Sequence, residues 1–256
     1  MKSVVVYSGG QDSTTCLVSE LDIGYDVTAI SFDYGQQHDV ELEAASNICD
    51  LLGVEHKVVK IQLPDMNSAL LKSEETLDVL DASPIDTELP ASFVPGRNAM
   101  FLSIAYGYAM AIGAERIVTG VCETDYSGYP DCRQLFIERL QRALQYAYGK
   151  GEIVTPLMNK TKAETFAMAY ATDGLLFALC SRTCYRGHTN EHPYPWGHGC
   201  NDCPSCEIRK DGWIQFLDGL PGEVLSKVER LSRYFMEHGE NCVPVYGSHI
   251  LGSPIA

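Results

Sequence analysis

The 256-residue chain has no apolar run that approaches the roughly 20 residues a membrane span requires. Its start lacks a basic stretch leading into an apolar segment and cleavage site, so no signal peptide is expected and the cytoplasm is the expected compartment. Basic residues are few: 19 Lys and Arg stand against 34 Asp and Glu, a formal net charge of −15. Proteins that grip long nucleic acid use a basic face to displace phosphate counterions, so no stable nucleic-acid partner is expected. There is no internal repeat. What remains is 45% apolar and 21% charged, an ordinary soluble composition with enough length to bury a sizeable core.

Cysteine, by contrast, is plentiful and unevenly placed. Of ten cysteines, Cys16, Cys49, Cys122, Cys132 and Cys242 are scattered, Cys180 and Cys184 are close together, and Cys200, Cys203 and Cys206 form C-x2-C-x2-C. In a reducing compartment such a cluster reads as metal ligands rather than disulfides. Four thiolates suit tetrahedral Zn²⁺ in a closed, structural site. The triplet supplies three. Cys184 and Cys180 compete for the fourth place, and His188, His192 or His198 can replace a thiolate.

The pattern along the chain alternates strands and helices. Val4 to Tyr7 is a buried strand that stops at Ser-Gly-Gly, and Asp12 or Ser13 can cap the helix that follows, with Cys16, Leu17 and Leu21 inward. Strands are expected at 27–32, 57–61, 116–120 and 153–155. Helices are expected at 39–52, stopped by Gly53, and at 132–148. Residues 98–112 are apolar nearly all round, which predicts a well-buried helix. Thr161 to Glu164 has the form of a capping box. Residues 62–96 lose the pattern and read as a lid or a stretch holding a short helix. After Gly174 the character changes, which suggests an α/β domain over 1–175 and a zinc-binding region over 176–256. The fold class is α/β, a doubly wound parallel sheet of five strands with helices on both faces and a C-terminal helical appendage. Ligands in such sheets bind at the carboxyl ends of the strands, where the first loop lies.

That loop reads Ser8-Gly9-Gly10-Gln11-Asp12-Ser13. No lysine follows the glycines, so it is not the phosphate loop of γ-phosphoryl-transfer enzymes, and it is not G-x-G-x-x-G. The physics is similar nonetheless. Gly9 and Gly10 permit close backbone approach, amides at the helix start point at an anion, and Ser8, Ser13 and Thr14 add hydroxyls. A di- or triphosphate is the natural occupant. Asp12 can organise Mg²⁺ or cap the helix. Arg97 offers a fork of donors to a phosphate or carboxylate. Lys162 is a cation at a helix start, easiest to explain if it faces an anion.

The hexapeptide resembles the PP-loop of the N-type ATP pyrophosphatases. Further runs narrow the resemblance: Phe32-Asp33-Tyr34-Gly35-Gln36-Gln37-His38, Phe93-Val94-Pro95-Gly96-Arg97-Asn98, and Gly128-Tyr129-Pro130-Asp131-Cys132-Arg133, followed by Lys160-Thr161-Lys162-Ala163-Glu164, Cys184-Tyr185 and the cysteine triplet. In this order they are similar to the 7-cyano-7-deazaguanine synthase family of the queuosine pathway, from Val4 to about Gly212. The resemblance implies conversion of 7-carboxy-7-deazaguanine and free ammonia to the nitrile, with ATP adenylating first the carboxylate and then the amide. It implies that Ser8 to Thr15 (Thr14 and Thr15 included) with Arg97 and Lys162 hold ATP, that Lys162 contacts its phosphates, and that Mg²⁺ offsets their charge. It makes Cys184 the fourth zinc ligand and implies a homodimer. One carboxylate among Glu123, Asp125 and Asp131 is expected to read the paired donors of the deazaguanine, Tyr126 and Tyr129 to stack on it, and His38 to move protons. The competing expectations are a related PP-loop enzyme that amidates or thiolates another carbonyl, such as a tRNA base, and a non-catalytic zinc module.

Overall fold

The computed structural model describes residues 1–37, 39–64, 68, 70–71, 89–124, 129–190 and 193–239. Five parallel strands form one sheet: β1 (Lys2–Val6), β2 (Asp26–Asp33), β3 (Glu55–Lys60), β4 (Arg116–Thr119) and β5 (Glu152–Val154). Their spatial order is β3-β2-β1-β4-β5. The order reverses between β1 and β4, so the crevice beyond their carboxyl ends is the ligand position of such sheets.

Alternation along β1 divides the core. Val4 points to one face and packs with Ile30, Ile117 and Ile153 beneath α3 (Arg97–Ile112) and α4 (Gln134–Tyr148). Val5 and Tyr7 point to the other, toward α1 (Gln11–Asp22), α2 (Val40–Leu52), α5 (Lys162–Ala171), α6 (Leu175–Cys180), α7 (Pro204–Asp218) and α8 (Gly222–His238). This second core joins Leu17 and Ile48 from the first half of the chain to Phe177, Trp213, Val228 and Phe235 from the last third, so the C-terminal helices share it with the sheet.

Gly53 ends α2 in the left-handed conformation, as expected, and both halves of the Thr161–Glu164 capping box are made. Two expectations are corrected. The first helix starts at Gln11 with Gly10 at the N-cap and no side-chain cap, so neither Asp12 nor Ser13 caps it. And α3 buries only Leu102, Ala105, Tyr106 and Ala109; it is an outer-layer helix, and Ile104 on its far side is exposed. Most of the 62–96 stretch, and the lid or short helix expected there, lies outside the described residues.

Candidate active site

The phosphate loop lies at the switch in strand order because two glycines let three segments meet there. Gly9 has φ +83°, and a Cβ on it would come within 2.2 Å of the Glu41 carbonyl oxygen at the start of α2. Gly120, just past β4, abuts the first turn of α1; its Cβ would sit 2.9 Å from the Asp12 carbonyl carbon. Gly9→Ala combines an unfavourable φ with a backbone collision. It is expected to destabilise the fold by about 2–4 kcal/mol, seen as a lower urea midpoint.

Hydroxyls brace the loop from within. Ser8 and Ser13 Oγ atoms are 3.1 Å apart, the Gly10 amide donates to Ser8 Oγ, and Ser13 Oγ donates to the Gly10 carbonyl. Ser8, Gly10, Gln11, Asp12 and Ser13 line a cavity of about 320 Å³. Thr14 and Thr15 do not. Both are fully buried and donate back to the Gly10 and Gln11 carbonyls, which holds their hydroxyls inside the helix. Gly9 faces α2 instead of the cavity, so its part is to set the turn.

Three cations line the same cavity, Lys162, Arg97 and Arg209. Lys162, the first residue of α5, donates from Nζ to both Asp12 carboxylate oxygens at 2.8 Å. The anion facing this lysine is therefore Asp12, which also offsets the unfavourable dipole at a helix start. Gly212 of α7 presses on the lysine stem and fixes its course. Arg97 begins α3. It donates to the Tyr34 hydroxyl at 3.3 Å, and its guanidinium lies 6.0 Å from the ring centres of both Tyr34 and Tyr129.

A carboxyl not singled out in the sequence also borders the cavity. Glu41 in the first turn of α2 lines the cavity, half-buried, and accepts no hydrogen bond among the described residues. Burial lifts its carboxyl from the usual range to about 7; the Arg97 guanidinium pulls the other way and the Cys184 sulfur adds to the rise. An acid there reads as dipole compensation, and only the packing of α2 on Gly9 shows that it borders the phosphate loop.

The acids expected to read the base are redistributed. Glu123 is exposed and accepts the Gln134 amide at the start of α4, and Asp131 accepts the Asn98 amide at the start of α3. Neither lines the cavity: both serve helix N-termini, where a free amide competes for any nearby carboxylate. Tyr129 does line it, held by hydroxyl contacts to Ser92 at 2.6 Å and Tyr185 at 3.4 Å. Asp125, Tyr126 and His38 lie outside the described residues.

The sulfurs of Cys184, Cys200, Cys203 and Cys206 lie within 4.8 Å of one another. This donor set fits a tetrahedral metal. Cys180 is buried on α6 in the main core, and His188 is exposed. His198 accepts the Asn190 amide at Nδ1 and packs edge-on against Phe235. His192 lies outside the described residues. The long loop between Cys184 and Cys200 is folded back on the helices, where Trp196 packs on the core and the Pro195 carbonyl accepts from Ser232.

A five-stranded parallel sheet with a Ser-Gly-Gly loop at its switch point, and with cations delivered from other elements in place of a loop lysine, defines an α/β protein of the PP-loop fold class. The family model described as queuosine biosynthesis protein QueC matches residues 2–217, and the chain belongs to that family. It is 44% identical over 224 residues to the 7-cyano-7-deazaguanine synthase of Wolinella succinogenes, covering 85% of this chain and 94% of that one. Two solved structures are more distant. One is a predicted subunit of tRNA methyltransferase from Methanocaldococcus jannaschii, at 18% identity and TM-score 0.41, covering 68% of this chain and 74% of that one. The other is a 4-thiouridine synthetase–RNA complex with bound ATP, at 16% identity and TM-score 0.41, covering 97% and 53%. Likeness at that level adds nothing to the assignment. No helix among the described residues is long and apolar enough to cross a membrane.

Proposed function

We propose that the protein makes 7-cyano-7-deazaguanine from 7-carboxy-7-deazaguanine and ammonia, using ATP as an adenylating agent in two rounds. The observation that carries this reading is the convergence of the Ser8–Ser13 loop, Arg97 and the Asp12–Lys162 pair on one cavity. The loop amides hold the pyrophosphate end of ATP. Lys162 would turn from Asp12 to the phosphates, leaving the Asp12 carboxylate as the residue that would hold Mg²⁺, whose chemistry would be to offset phosphate charge. Arg97 orients the substrate carboxylate so that its oxygen attacks the α-phosphorus and pyrophosphate leaves. Ammonia then displaces AMP to give the amide. A second ATP activates the amide oxygen, and loss of AMP leaves the nitrile. One loop serves both rounds because each activates an oxygen on the same carbon.

The four-cysteine group holds structural Zn²⁺, whose closed donor set leaves no position for substrate. The free thiols among the described residues support a reducing, cytoplasmic setting. The half-exposed outer face of α3 supports the homodimer that the family resemblance implies, and sedimentation velocity of the purified chain tests it.

Mass analysis of a reaction containing the carboxylate, ammonium, Mg²⁺ and ATP tests the chemistry. The expected products are the nitrile with AMP and pyrophosphate. ADP in place of AMP overturns the mechanism, and AMP without nitrile overturns the substrate.

A further inference from the structure

We propose that Glu41 is the catalytic residue that accepts protons from the reacting nitrogen. The inference rests on the nitrile-forming reading above and adds a group to it. Glu41 borders the phosphate loop through the contact of its own backbone with Gly9, so its place relative to the loop is fixed. Its side chain lines the cavity with Arg97 and Asn98, and no described donor occupies its oxygens.

The reaction needs such an acceptor more than once. In the first round ammonia attacks the acyl-adenylate carbon, the C–N bond forms, the C–O bond to AMP breaks, and one N–H proton must leave to give the neutral amide. In the second round the amide oxygen bonds to the α-phosphorus and pyrophosphate departs. The nitrogen then loses a proton, AMP takes the C–O electron pair as it leaves, and the second N–H proton is lost as the triple bond closes. Every proton lost comes from nitrogen, and nothing is oxidised or reduced. A carboxylate lining the same cavity can accept each one in turn and return it to solvent between steps.

Among the titratable groups around the cavity, Arg97 and Arg209 are cations, Lys162 and Asp12 are paired with each other, and burial lifts the Cys132 thiol to about 12. Burial holds the Tyr34 hydroxyl above its ordinary range, so it stays protonated. Burial raises the carboxyl of Glu41 above the ordinary carboxylate range, which suits a base that must both take and release protons.

The test separates adenylation from nitrogen chemistry. Adenylation of the carboxylate needs no proton from nitrogen, so Glu41→Gln is expected to keep the single-turnover release of pyrophosphate without ammonia within about three-fold of wild type. Nitrile formation, from carboxylate with ammonia or from the amide with ATP, is expected to fall about 10²-fold or more. Should Glu41→Gln lower the melting temperature, Glu41→Ala is read in its place, with added acetate restoring part of the nitrile rate. An unchanged nitrile rate, an equal loss in both assays, or no response to acetate overturns the assignment. A wild-type protein that makes no nitrile overturns the underlying reading instead, so the two failures are distinct.

Discussion

Arg97→Ala is expected to lower kcat/KM for the carboxylate by about 10²–10³-fold, equivalent to about 2.7–4 kcal/mol of transition-state stabilisation. The same substitution is expected to leave resistance to urea unchanged or slightly higher. The two outcomes follow from one observation. A guanidinium carries five N–H donors, and here the Tyr34 hydroxyl takes one. The rings of Tyr34 and Tyr129 flank the charge at 6.0 Å without neutralising it, and Asp131 and Glu41 act on it electrostatically without a hydrogen bond, Asp131 accepting the Asn98 amide instead. A cation so placed contributes little to folding, because its desolvation offsets what its neighbours return. Its unused donors become valuable when an anion enters. Arg97→Lys keeps the charge but not the planar fork, so it should fall between the two. Steady-state kinetics and urea unfolding on the same preparations check this. A large loss of stability would instead make Arg97 a structural ion.

How far the sequence carried is best seen residue by residue. The Thr161 capping box, the Gly53 stop and the strand leading into Ser-Gly-Gly are local: the residues that form each feature lie within a few positions of one another. The Ser8–Ser13 loop was legible for the same reason. What was not legible depends on contacts far apart in the chain. Lys162 and Asp12 are 150 positions apart, and nothing near Lys162 announces its partner. Glu41 looks like any acid in a first helical turn until α2 is seen against Gly9. Glu123 and Asp131 sat in a run that reads as a base-binding segment, yet the free amides of α4 and α3 were nearer claimants. The apolar α3 was read as buried because composition does not say how many layers lie outside a sheet, and here that helix is itself the outer layer.

Removing the metal is expected to damage the phosphate loop although no cysteine belongs to it. Cys203 is the N-cap of α7 and Cys206 lies in its first turn, so the sulfur group fixes where that helix begins. Arg209, on the same helix, is fully buried and has no acid to pair with among its described hydrogen-bond partners. It donates instead to the carbonyls of Ala178, Leu179 and Ser181 and to the Thr183 hydroxyl, where the end of α6 supplies the negative pole that holds it. The next link is short: the Arg182 amide donates to the Gly9 carbonyl at 2.9 Å. The four-sulfur group, α7, Arg209, the 178–183 segment and the loop thus form one chain of contacts. Cys203→Ser, or treatment with a strong chelator, is expected to release about one zinc per chain and to lower the thermal midpoint by more than 10 °C, since structural zinc contributes folding energy directly. ATP affinity should fall at least ten-fold at temperatures where the mutant remains folded, because α7 also carries Gly212, the residue pressing on Lys162. Arg209→Met removes the middle link and also a cation that lines the cavity itself. It should retain zinc yet share the loss of ATP affinity, because it cuts the path after the metal and alters the cavity wall. Zinc content by mass spectrometry and ATP titration by calorimetry read both ends. Full ATP affinity in the metal-free protein would show that the sulfur group stabilises only its own corner of the fold.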